Sequence, residues 1–174
     1  MSSARGPRAQ HNPTQPSIFA AENLSPAYPQ RAAWGTSRPL RAWQAAALKK
    51  YMDSTPEDFL AVATPGAGKT TFALRVATEL LAAGEVHRVT VVCPTEHLKY
   101  QWAEAAARVG IRLDPSYTNS QGALGSRFDG VALTYAQVAA NANLHRARTD
   151  SIRTLVVLDE IHHGGDALSW GDAI

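Results

Sequence analysis

The sequence predicts an α/β domain: a parallel sheet with helices on both faces. Three observations predict it. Short apolar runs of four to six residues alternate with segments of helical periodicity. Those runs are punctuated by Gly and Pro in the manner of strand–turn–helix units. The residues with chemical promise then fall at the C-terminal ends of the runs, where ligands bind in open parallel sheets.

The elements follow in order. Residues 1–37 are rich in Pro, Ser, Ala, Gln and Arg, and Pro7, Pro13, Pro16, Pro26 and Pro29 interrupt any regular element, which predicts a disordered arm. The folded domain is expected over 38–174. Leu40–Met52 puts Leu40, Trp43, Ala47, Leu48 and Tyr51 on one helical face. Phe59–Ala63 reads as a strand ending in the turn Thr64-Pro65-Gly66. Thr70–Ala83 places Phe72, Val76, Leu80 and Leu81 at helical spacing, with Gly84 as its C-cap. Arg88–Cys93 is a β-branched strand closed by Pro94. Glu96–Val109 is a helix with Leu98, Trp102, Ala106 and Val109 inward. Ser116–Gly130 reads as a loop, Val131–Thr134 as a strand, Tyr135–Ala142 as a short helix and Thr154–Leu158 as the last strand. No internal repeat is visible.

Charge is unevenly placed. Residues 1–44 hold five arginines against Glu22 alone, about +4, whereas the remaining 130 residues hold 12 basic and 14 acidic groups, about −2. The arm is therefore the basic part, suited either to an anionic partner or to plain solvation. Cys93 is the single cysteine, which excludes an internal disulfide. Nowhere do about 18 apolar residues run together, and no apolar run opens the chain. The expectation is a soluble, cytoplasmic protein with no membrane partner.

The strongest chemical signal is AVATPGAGKTTFAL, residues 61–74. Ala63 to Thr70 fit the P-loop pattern, with Ala63 where a Gly is usual, and a strand precedes and a helix follows. Gly66 and Gly68 let the backbone curl so that successive N–H groups point inward at a helix N-terminus. Lys69 reaches the β- and γ-phosphates, and the Thr70 hydroxyl ligates Mg²⁺. The expected nucleotide contacts are Pro65, Gly66, Ala67, Gly68, Lys69, Thr70 and Thr71, with ATP and Mg²⁺ as the implied cofactors. At the last strand, Asp159 is expected to hold Mg²⁺, and Glu160 to orient and deprotonate the attacking water. The apolar strand Leu155–Leu158 is expected beside the P-loop strand. A pair of acids can also merely cap a strand. His162 and His163 have no companion Cys or His cluster to complete a zinc set.

Taken together these stretches resemble superfamily-two DEAD/DEAH-box helicases and translocases, and hence a P-loop NTPase of RecA-like fold. Asp159-Glu160-Ile161-His162 resembles the DExH form of motif II, ATPGAGKTT resembles motif I, CPTEHLKYQW (93–102) motif Ia, and ALTYAQV (132–138) motif Ib. RPLRAWQ (38–44) is similar to the stretch ending in Gln that precedes motif I. The match looks closest to the branch that includes restriction-enzyme motor subunits and DNA repair translocases. The resemblance implies that Gln44 reads adenine and that Lys69, Asp159 and Glu160 serve catalysis. It also implies that Pro94, Thr95, Thr134 and Tyr135 lie along a nucleic-acid strand, more plausibly DNA, and that His162 couples the two sites. Thr95 has a second reading, as the N-cap of the following helix, and Trp102 reads as core. His163 and Trp170 have no assigned role.

The family has a second ATPase-like domain that supplies an arginine finger, and a Ser/Thr-Ala-Thr motif after motif II. This chain ends at Ile174, ahead of both, and Arg146, Arg148 and Arg153 precede the carboxylate strand. The expectation is an N-terminal portion, incomplete at its C-terminus and truncated after motif II, weak or inactive alone and dependent on a second domain or another chain. The alternative is a non-catalytic nucleotide- or nucleic-acid-binding fragment.

Overall fold

The structure is a computed structural model and describes residues 39–161. The arm over 1–37, His162, His163 and Trp170 lie outside the described residues. Five helices and four strands are formed there: α1 (Ala42–Ser54), α2 (Lys69–Ala83), β1 (Arg88–Cys93), α3 (Glu96–Arg108), β2 (Leu113–Asp114), β3 (Gly130–Thr134), α4 (Tyr135–Ala140), α5 (Ala142–Ser151) and β4 (Thr154–Leu158). The strands form one all-parallel sheet in the order β2-β3-β1-β4. This is the α/β architecture of a RecA-like P-loop domain.

The core explains the order. Val89, Val91 and Cys93 of β1 and Ala132 of β3 project onto one face, where Leu74 and Ala77 of α2 and Trp102 and Ala106 of α3 cover them. Each side chain of Val or Leu size buried there stabilises the fold by about 1.5–3 kcal/mol. A second cluster joins α1 to α2: Phe72, Val76 and Leu80 pack against Trp43, Leu48 and Tyr51. Gly84 ends α2 in the left-handed region, at φ 72, as its position predicts. On the opposite face Thr90, Val92, Val131 and Leu133 floor a groove of about 760 Å³ beside α5. Among the described residues no helix is long and apolar enough to cross a membrane.

Three expectations need correction. Phe59–Ala63 is not a strand, and β4 does not pair with it; among the described residues β4 pairs only with β1. The stretch keeps a strand's alternation, because Phe59 and Ala61 pack inward while Leu60 is 77% and Val62 84% exposed. Alternation alone does not make a strand, since a ladder needs a partner's N–H and C=O groups. Second, β4 is only half-buried, with Val156 43% exposed, rather than lying deep beside the phosphate-loop segment. Third, the helix expected over 135–142 stops at Ala140, and Asn141 begins α5 by accepting from the Leu144 N–H.

Candidate active site

The phosphate-loop sequence forms a tight bend into α2. Gly66 and Gly68 take φ 74 and 91, which a side chain disfavours. A Cβ on Gly68 would also lie 2.6 Å from the Gln44 amide nitrogen. Lys69 and Thr70 open α2, so the loop presents a helix N-terminus of 15 residues with its partial positive charge.

What holds the loop comes from α1. The Arg41 guanidinium donates to the Gly66 carbonyl at 3.1 Å, the Trp43 indole N–H to that of Ala67 at 3.2 Å, and the Gln44 amide to that of Gly68 at 2.8 Å. Three successive carbonyls are thus tied to one helix end. The Ala67 N–H closes the bend onto the Thr64 carbonyl at 3.1 Å, and the first N–H groups of α2, at Lys69 and Thr70, are those a helix start offers to a phosphate. Gln44 is buried, and its Oε1 accepts from the Arg41 N–H at 2.8 Å. Its amide is therefore committed at both ends, the nitrogen to the loop and the oxygen to the start of α1. Arg41 and Trp43 were missed as candidates, although they sit in the same short stretch as Gln44.

Ninety-one residues away in sequence, the carboxylates reach the loop. Lys69 Nζ lies 3.2 Å from Glu160 Oε1, both side chains about a third exposed. Glu160 has φ 53, an uncommon conformation for a residue with a side chain. Asp159 is held differently. Its N–H donates to Val92 O at 2.9 Å, its carbonyl accepts from the Tyr135 hydroxyl at 2.8 Å, and its Oδ2 accepts from the Trp102 indole N–H at 2.8 Å. Among the described residues no cation pairs with Asp159.

These groups suit Mg²⁺-nucleotide chemistry. Mg²⁺ is held by one or two carboxylates together with substrate phosphates, not by an all-protein cage. The described residues contain no cluster of three or more His, Cys, Asp or Glu side chains. Asp159 with the Thr70 hydroxyl would hold such an ion.

The expected nucleic-acid positions divide. Thr95 N-caps α3 by accepting from the Leu98 N–H at 3.3 Å, and is exposed; Pro94 beside it is half-buried. Thr134 is buried and N-caps α4, where Gln137 completes a capping box. Tyr135 is 7% exposed with its hydroxyl turned onto Asp159, so that hydroxyl is committed inward. Burial, and next the charge of Asp159, push its pKa up to about 12. The same two causes in the same order push the buried Cys93 thiol up to about 11. Thr134 pairs with Cys93 across β1 and β3, so the Thr95 cap stands two residues beyond the position paired with the Thr134 cap. Lys99 is 3% exposed and bridges Glu96 and Gln137 at 3.0 Å each, joining α3 to α4 behind them. The groove on the opposite sheet face includes none of the loop or carboxylate residues in its lining.

A family model described as type III restriction enzyme, res subunit, matches residues 37–174. The chain is 56% identical over 170 residues to the uncharacterized protein ML1624 of Mycobacterium leprae, a match covering 96% of this chain and 28% of that one. It is 61% identical over 136 residues to the uncharacterized proteins MT2985 and Rv2917 of two Mycobacterium tuberculosis strains, covering 78% of this chain and 23% of each. The chain thus spans about a quarter of the length of these relatives.

Proposed function

Because the chain belongs to the type III restriction enzyme res subunit family, whose domain is a helicase-like N-terminal ATPase, we propose that it is the Mg²⁺-ATP-binding portion of a nucleic-acid helicase or translocase. In the longer protein, hydrolysis is coupled to movement on DNA. One observation carries the reading: Lys69 of the phosphate loop meets Glu160 of the carboxylate pair at 3.2 Å, although 91 residues separate them.

The chemistry follows from the partners. Lys69 exchanges Glu160 for the β- and γ-phosphates of ATP, and the released Glu160 carboxylate orients water and accepts its proton. The ion pair is partly solvated, so giving it up costs little. Mg²⁺ would be held by Asp159 and Thr70 and would supply charge neutralisation at the phosphates. Backbone N–H groups of the loop bind phosphate, while Gln44, its amide committed to Gly68 and Arg41, keeps the loop in shape. The exposed, capped start of α3 offers contacts to a phosphate backbone at 94–95, which carry no sequence information, whereas Thr134 and Tyr135 are buried and the Thr134 N–H is spent on Gln137. A second ATPase-like domain provides the arginine finger, worth about 10³–10⁵ in rate.

The test is Mg²⁺-ATP binding by calorimetry, then ATP turnover with and without DNA or RNA. The expected results are binding lost in Lys69→Ala and turnover in the full-length protein stimulated by DNA. A folded wild type that ignores Mg²⁺-ATP, or binds it equally well as Lys69→Ala, ends the nucleotide reading. Stimulation by RNA alone ends the DNA reading.

A further inference from the structure

The two neighbouring carboxylates are restrained by donors of different kinds. Glu160 faces the ammonium of Lys69, which offsets its charge. Among the described residues Asp159 meets neutral donors: the Trp102 indole N–H on Oδ2 and the Tyr135 hydroxyl on its carbonyl, each at 2.8 Å. A neutral N–H fixes the plane of a carboxylate and leaves its charge to a cation. Hydrogen bonds of this sort set the direction in which a ligating oxygen points.

We propose that Trp102 is a positioning residue for Asp159, and that with Tyr135 it forms a clamp joining the metal carboxylate to α3 and α4. With Oδ2 held, Oδ1 is the oxygen left to the ion. The indole cannot turn independently of its helix, because it is 4% exposed and packed in one cluster with Leu74, Val91 and Cys93. Its helix begins at the Thr95 cap, and Tyr135 is the first residue of α4 after the Thr134 cap. A displacement of either helix start moves a donor on Asp159, so a strand laid against the exposed start of α3 at 94–95 bears on the metal carboxylate through the Trp102 hydrogen bond. This inference rests on the Mg²⁺-ATP reading above.

The test uses Trp102→Phe and Tyr135→Phe in the full-length protein, each keeping a ring and losing a donor. The readouts are the Mg²⁺ midpoint of ATP binding, ATP affinity in EDTA, and the indole N–H resonance of Trp102 in ¹⁵N-labelled wild type. The Mg²⁺ midpoint should rise about tenfold in Trp102→Phe, the lower end of the effect of removing a partner of a metal ligand. Tyr135→Phe should shift it less, metal-free ATP affinity should hold, and the wild-type resonance should move when Mg²⁺ joins the nucleotide. Should Trp102→Phe not fold, Tyr135→Phe and the wild-type resonance decide. Unchanged midpoints in the folded variants with a static resonance overturn the clamp alone, provided the wild type binds Mg²⁺-ATP. So does an equal loss of metal-free affinity, which marks a general defect. A wild type with no Mg²⁺-dependent binding overturns both readings.

Discussion

The phosphate loop and the carboxylate pair face each other, yet they are secured by different means. The loop and the stretch leading to it belong to no sheet ladder among the described residues. Its shape comes from glycines in the left-handed region and from Arg41, Trp43 and Gln44 tying down three carbonyls. Asp159 instead continues the β4 ladder, through its N–H to Val92, and is then trimmed by two aromatic donors. Side chains build one half of the site, and strand pairing builds the other. Changes in α1 should therefore act on nucleotide binding, and changes beside β4 on metal use and turnover.

Glu160→Gln should separate the halves most sharply. It keeps shape, removes the carboxylate proposed as general base and releases Lys69, so ATP should bind at least as well while kcat falls by about 10²–10⁴ in phosphate release. Parallel loss of binding and turnover would show that the halves are not separable. Gly68→Ala should come next: left-handed backbone costs about 1–2 kcal/mol with a Cβ, and the lost Gln44 bond adds about 1. Gly66→Ala meets open space and should show the backbone cost alone, so the two variants compared by chemical denaturation and ATP titration isolate the α1 contribution. Trp43→Phe keeps the aromatic contact with Phe72 (ring centroids 5.6 Å) and drops the bond to Ala67, for about 1 kcal/mol of stability and a weaker ATP affinity.

The smallest expected effect lies away from both halves and serves as a control. Burial, and next Arg148, lower the pKa of His145, which meets the Asn119 side chain at 2.9 Å. The unfolded chain then binds the proton more readily, so this stability is present above about pH 6.5 and is lost as pH falls below it. The difference in Tm between wild type and His145→Gln should shrink from pH 7.5 to 5.5 by thermal scanning, with ATP affinity parallel in the two.

Much of this was legible in the chain. The glycine spacing at 66 and 68, the apolar run into Asp159 and the capping residues are local signals, and each led to the element it names. The α5 helix was not legible, because ANLHRARTDS carries no apolar stripe and none of its residues is buried. The β2 strand has two residues, too few for a pattern. Trp102 read as core and is core, but its indole partner lies 57 residues away, where periodicity carries no information. The P-loop strand failed for the converse reason: its local pattern was right, and the ladder partner that pattern needs is not among the described residues.

Cys93 ends β1 in this setting, fully buried, its thiol accepted by the Leu133 carbonyl at 3.4 Å and kept protonated by burial and by the charge of Asp159. As the chain's sole thiol it is a built-in clock. The thiolate attacks a maleimide or disulfide reagent at pH 8, so the labelling rate on the native protein counts the moments when the strand end beneath Asp159 swings open. Slower labelling with Mg²⁺-ATP present would time, without any mutation, how tightly the nucleotide closes that end of the sheet.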